Sequence, residues 1–307
     1  MIETRQAPAI LAVWRRRRLI AAAALALAAL TLFVTVPAYS AFDSIYSLVW
    51  GQELLDGELP SFDAYRAPTQ HPLWVALTTV LAPLGEDASR AVVGICVGGF
   101  VALVIGGFRF ATAIFGEVVG WIFALLLLSR LDYGFLAARG YIDVPFLALI
   151  VWAAALEAER PRRGTAVFAL LACAGLLRPE AWLLSGAYAL YLLYAERRLP
   201  RAAEVAWVLV PPLIWTGSDW LVTGDPLYSS NYTTRSALSL GRRVPLEQLP
   251  ARLARFLNDL TKPPVLAAGL AGIVLSFRLV RPRACSAVQP PSVNAANSVS
   301  ASAEITR

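Results

Sequence analysis

The residues able to do chemistry in this chain are few and widely spaced. Asp43 follows a long apolar run, Leu19 to Val36, at the point where the chain turns polar. A carboxylate there is either a solvated helix end or, if partly desolvated and within hydrogen-bond reach of a hydroxyl, a general base. Glu53, Asp56, Asp63 and Tyr65 share the same stretch, and its acids read by default as solvated loop charges. His71, the only histidine, precedes Pro72 and reads as an interfacial hydrogen-bonding residue or a contact for a polar ligand. Arg139 and Arg178 each stand at the edge of an apolar block. A guanidinium matches phosphate oxygens bidentately and stays charged at any relevant pH, yet an arginine in such a place also snorkels to lipid headgroups. Asp143 lies four residues after Arg139, the spacing at which two side chains on one helix face meet. Glu180 closes the Arg178-Pro179-Glu180 turn. Cys96, Cys173 and Cys285 show neither metal-ligand spacing nor a paired framework. No metal cluster is visible, and the one metal role left open is a divalent ion shared between Asp43 and a phosphate.

These residues are positioned by membrane-type elements. The chain is 58% hydrophobic and 16% charged, against roughly 25% charged in a soluble domain. Its apolar residues come in long blocks separated by charged knots, the pattern of membrane helices. The blocks do not alternate, which excludes a transmembrane barrel. The first span is 19–36, preceded by Arg15-Arg16-Arg17-Arg18, with cleavage near Ala38-Tyr39-Ser40-Ala41 as the alternative reading of this segment. Further blocks lie at 91–108, 117–130, 142–158, 164–177, 181–195, 204–222 and 264–280, and Pro72 to Leu84 reads as interfacial. The expected fold is therefore an all-α polytopic membrane protein of about eight spans, whose first outer loop contains short interfacial helices. From a cytoplasmic N-terminus, the clusters Arg160–Arg163, Arg197–Arg201 and Arg278–Arg283 all fall inside, as the bias of basic loops requires. The segments 41–90, 131–141, 178–180 and 223–263 fall outside, where Leu246 to Leu260 reads as an amphipathic surface helix. Residues 1–18 are a basic cytoplasmic N-terminus, 19–283 the membrane domain and 284–307 a disordered tail.

Several stretches resemble the GT-C superfamily of membrane glycosyltransferases, in particular its protein O-mannosyltransferase and aminoarabinose-transferase branches. They are Phe42-Asp43-Ser44-Ile45-Tyr46, Leu54 to Pro60, Tyr65 with His71-Pro72-Leu73-Trp74, Ala138 to Pro145, Leu177 to Trp182, and Thr223 to Ser229. Together they span roughly residues 15 to 280. The resemblance implies transfer of a sugar, with inversion, from a polyprenyl-phosphate donor to an extracytoplasmic lipid, glycan or protein acceptor. It implies Asp43 as the base, and Arg139, Arg178 and His71 as contacts to the donor phosphate. Asp143, Glu180, Asp63 and Tyr65 would support them. Two features depart from the pattern. Ser44 stands where many members have a second acidic residue, and eight spans are fewer than usual, as in a minimal or truncated member.

Two other classes remain open on the residues alone. A transporter or lipid flippase carries ionisable groups within its spans, often in repeated halves. Here the non-terminal charges lie nearly all at span ends, with Glu204 and Asp219 in the block 204–222 as the exceptions, both near its ends, and no repeat is visible. A non-catalytic scaffold would not depend on Asp43. The net charge of +6 is spread in clusters between spans, so it reports topology and membrane-lipid contact rather than nucleic-acid binding. The arginine-rich, lysine-poor composition looks bacterial and places the protein in a bacterial plasma membrane.

Overall fold

A computed structural model describes residues 7–35, 39–64, 67–197, 199–242, 245–261 and 263–279. Among these the regular structure is all helix, with no strand, the solution open to backbone that has no water to bond. Tyr65, a supporting site residue in the sequence reading, and the tail from 284 lie outside the described residues. The chain divides into two compact units, Met1–Ser239 and Leu240–Arg307.

The first unit contains α1 (Ala7–Thr35), α2 (Phe42–Leu55), α3 (Pro72–Leu81), α4 (Asp87–Phe115), α5 (Glu117–Ser129), α6 (Leu131–Ala138), α7 (Asp143–Glu159), α8 (Thr165–Leu177), α9 (Glu180–Glu196), α10 (Ala202–Thr223) and α11 (Tyr228–Ser239). Each apolar block coincides with a helix, to within two residues except that α1 begins twelve residues before its block and α4 runs four residues before and seven beyond its own. The arginines at 15–18 belong to α1. Among the described residues three helices are long and apolar enough to cross a membrane: Arg16–Thr35 of α1, α4 and α10. A fourth crossing comes from α5 and α6 if that pair, bent by 58°, is one span. The remaining apolar helices α7, α8 and α9, of 17, 13 and 17 residues, fall short of the roughly 20 that span a bilayer upright.

α4 is the central helix, packed most extensively on α7. Small residues allow the approach: a Cβ on Gly99 would lie 3.2 Å from the Pro145 Cα, and one on Gly106 2.8 Å from the Trp152 ring. The Trp152 indole N–H reaches the Ala102 carbonyl at 2.8 Å, and Arg109 pairs with Glu159 further on. Contacts that advance together on both helices make α4 and α7 parallel, so the bent α5–α6 pair serves as the return between them. The ends of the bundle therefore differ. One gathers the starts of α2, α3, α7 and α9 with the end of α8; the other gathers Arg18, Arg109, Glu117 and Glu159.

α2 crosses α3 on a face of small residues, Ser44, Ser47 and Gly51, one per helical turn. The Thr78 hydroxyl donates to the Ser47 carbonyl at 2.6 Å. The second unit comprises a 3-10 turn (Leu246–Gln248), α12 (Leu249–Thr261) and α13 (Pro263–Leu279). α12 sets Leu249, Leu253, Phe256 and Leu257 on one side and Arg252, Arg255 and Asp259 on the other, and all of these are exposed. It coincides with the amphipathic segment read from the sequence.

A methyl group on Gly51 would sit 2.7 Å from the Thr79 nitrogen and 2.8 Å from the Thr78 carbonyl carbon, both backbone atoms that cannot step aside. Gly51→Ala is expected to destabilise the protein by about 1–3 kcal/mol in detergent unfolding. Gly98→Ala, which meets nothing within 4 Å, should be neutral or better; equal effects would refute the close crossing.

Candidate active site

α2 begins where two other segments hold it. The Ala41 N–H donates to the Arg139 carbonyl at 2.6 Å, and the Ser44 hydroxyl donates to the Gly140 carbonyl at 2.6 Å. The Trp74 indole N–H in turn donates to Ser44 Oγ at 2.9 Å. Gly140 has φ +63°, a left-handed conformation that a side chain would strain, and it turns the chain from α6 into α7. Ser44 is fully buried. A carboxylate in its place would face the Gly140 carbonyl oxygen, which accounts for serine where the resemblance leads one to expect a second acid. The effect is to bring Asp43, in the first turn of α2, beside Asp143, in the first turn of α7.

α8 and α9 supply the other half. Pro179 disfavours helical geometry in the residue before it, and Arg178 is extended at φ −149°, ψ 131°. α8 therefore ends at Leu177, and its carbonyl is one of those a helix C-terminus leaves without a partner inside the helix. His71 Nδ1 lies 2.6 Å from that oxygen. A carbonyl only accepts, so Nδ1 carries the proton. The imidazole also meets Trp215 edge-on at 6.0 Å. The Arg178 guanidinium pairs with Asp143, and its other Nη lies 3.5 Å from Glu180.

Asp43, His71, Asp143 and Arg178 thus form one electrostatic group drawn from four chain segments. Burial holds the Asp43 carboxyl above its ordinary range and Asp143 pushes it further up, while Arg178, and His71 whenever it is protonated, pull it down. Burial pushes the His71 imidazole below its ordinary value, against the opposing pull of Asp43 and the bond to Leu177. His71 is therefore neutral at pH 7, with Nε2 bearing a lone pair. A half-buried carboxylate of raised affinity for protons, flanked by a fixed guanidinium and a neutral imidazole, is suited to take a proton from a hydroxyl beside an anion.

The other sequence candidates divide. Asp143 does not orient Arg139: α6 ends at Ala138 and α7 begins at Asp143, so the two share no helix face, and Asp143 holds Arg178 instead. Arg139 places its guanidinium 3.8 Å above the Tyr39 ring, with its Nε buried and unbonded, while its carbonyl anchors α2. Glu53 receives the Ser61 N–H and hydroxyl, both at 2.8 Å. Asp56 accepts from Gln52. Asp63 is exposed and its charge acts on Tyr228. Among the described residues no group of three His, Cys, Asp or Glu side chains has the placement to hold a metal ion.

The sequence reading missed the support behind His71. Gln70 is buried and donates to Asp219 Oδ1 at 2.6 Å and to Ser218 at 2.8 Å. Asp219, 1% exposed, also accepts the Ser229 N–H at 2.9 Å and its hydroxyl at 2.7 Å. The signal was present as an acid inside an apolar block, but nothing in its spacing pointed to Gln70. No family model, curated protein or solved structure matches the chain.

His71 provides a check on this electrostatic balance. Its folded value is lowered from 6.5, so its contribution to stability is present above that pH and lost as pH falls through the folded value. Between about pH 8 and about pH 5, the parent should lose more thermal stability than His71→Gln. Equal losses would show that the ring is not held neutral.

Proposed function

We propose that the chain is a membrane glycosyltransferase of the GT-C type, which transfers a sugar from a polyprenyl-phosphate donor to an extracytoplasmic acceptor. The observation that carries the reading is the convergence of Asp43, His71, Asp143 and Arg178 at one end of the helical bundle. The reading includes about eight spans in a bacterial plasma membrane, with the shorter helices α7, α8, α9 and α13 crossing as well. The N-terminus is then cytoplasmic, and basic residues gather at the end of the bundle away from Asp43, as topology by charge requires. α8, at 13 residues, is about 20 Å long against a hydrocarbon core of about 30 Å. Arg178 at its end accordingly lies recessed, where a lipid-borne phosphate meets a partly dehydrated site.

In this mechanism Asp43 takes the proton of the acceptor hydroxyl as that oxygen bonds to the anomeric carbon. The bond from that carbon to the phosphate oxygen breaks, its electron pair leaving on the phosphate, and the configuration inverts. Arg178 neutralises the departing charge, and Asp143 and Glu180 fix its orientation. With a phosphate leaving group no second carboxylic acid is needed. His71 in its resting tautomer accepts at Nε2; it contacts a phosphate oxygen only as imidazolium, a form that the arriving negative charge favours. The acids inside α10 support this reading over a transporter. Asp219 is engaged by Gln70 and Ser229, and Glu204 accepts the Arg201 N–H at 2.8 Å at the opposite helix end.

The test is turnover of radiolabelled polyprenyl-phosphate sugars by protein in nanodiscs. Asp43→Asn should lower transfer by about 10²–10⁴-fold with folding intact; retained transfer in a folded variant would remove Asp43 as base. Absence of turnover by the parent with every donor would favour the scaffold reading. Arg178→Gln removes a cation that pulls the Asp43 carboxyl down. The acidic limb of its pH–rate profile should move to higher pH, with transfer weakened; a limb that stays in place would separate Arg178 from the base.

A further inference from the structure

At the end of the bundle remote from Asp43, α1 leans on α4 and α5 without closing against them. Only 6% of its Arg16–Thr35 window is buried, against 44% for α4. Between them is a cavity of about 810 Å³. One wall is the small-residue face of α1, Ala21, Ala24 and Ala28; the other is Val104, Phe108 and Leu125. Along α1 the lining runs from Arg18 to Ala28. At 1.5 Å per residue that is about 15 Å, half of a hydrocarbon core of about 30 Å and so the depth of one leaflet.

The mouth of the cavity is cationic and built. Arg18 donates Nε and Nη2 to Glu117 at 2.9 and 2.8 Å, and Arg109 donates Nε and Nη2 to Glu159 at 2.7 and 2.6 Å. Each carboxylate grips one edge of its guanidinium and leaves the Nη1 donors unengaged by it. Phe108 lies beneath Arg18 and Trp152 beneath Arg109, at 5.7 and 4.6 Å. Arg160 and Arg163 add positive charge around Glu159. Both guanidinia are thereby aimed and keep donors for a further anion.

We propose that this cavity binds one anionic phospholipid, an acyl chain lying along α1 and the phosphate held by Arg18 and Arg109. A single chain fills the gap that alanines leave, and a negative headgroup answers the excess of arginine at the mouth. The lipid completes the packing of α1, so it acts as a structural component rather than as the substrate of the distant carboxylates. The site depends on membrane insertion but not on the glycosyltransferase reading.

The test offers detergent-solubilised protein equal amounts of phosphatidylglycerol and phosphatidylcholine with identical acyl chains, and reads retained lipid by native mass spectrometry. The parent should keep one phosphatidylglycerol, favoured at least about fivefold over phosphatidylcholine. The pair-neutral variant Arg109→Gln with Glu159→Gln should lose that preference. Ala28→Phe should lose the lipid altogether. Equal retention of the two lipids by the parent would overturn the proposal. So would a preference that survives the double substitution, which decides the matter even if Ala28→Phe does not fold.

Discussion

Two hydrogen bonds to consecutive carbonyls, from the Ala41 N–H to Arg139 and from the Ser44 hydroxyl to Gly140, set the arrangement on which everything else at this end depends. They fasten the first turn of α2 to the corner between α6 and α7. Where water is scarce a buried donor has few alternative partners, so a mispaired corner is costly and the correct one well specified. Once the corner is made, the first turns of two helices lie side by side with a carboxylate in each. Two like charges so placed need a cation, and Arg178 is held extended by the proline after it at the point where that cation is required.

Much of this was legible in the sequence because lipid imposes a simple rule on composition. Apolar blocks such as 204–222 and 91–108 became α10 and α4, the first extended by two residues and one, the second by four and seven. The amphipathic alternation at 246–260 was also sufficient. Periodicity could not show partnership across the fold. Arg139 and Asp143 have the spacing of helical neighbours, yet Gly140 between them takes a left-handed turn and the relation is broken. Asp43 and Arg178 were singled out by position at span ends, His71 as the lone histidine before Pro72, and Asp143 by its spacing from Arg139; that they share one electrostatic group depends on tertiary contacts linking residues up to 135 positions apart, as Asp43 and Arg178 are. Ser44 looked like an absence in the sequence and is a fastening in the fold.

The two ends of the bundle use charge in contrasting ways. Near Asp43 the charges are half-buried and mutually perturbing, which keeps a carboxyl and an imidazole away from their ordinary protonation behaviour. At the other end Arg18 with Glu117 and Arg109 with Glu159 form side-on pairs at partly exposed positions. Exposed pairs contribute little to stability by themselves, and these serve to orient their arginines. Segregating the two kinds of charge lets one end remain a site of altered acidity while the other presents fixed guanidinia.

Asp219 receives donors from Gln70 and from both the backbone and the side chain of Ser229. One carboxylate thus joins α10, the segment that precedes His71, and the start of α11. Groups joined in this way do not contribute additively, and loss of any one strands the others in a buried place. Across a lineage these positions would be inherited as a set: a change at Gln70 would be tolerated mainly with a matching change at Asp219. Drift in this part of the molecule should therefore come in coordinated steps, whereas the exposed acids of the neighbouring loop are free to vary one at a time.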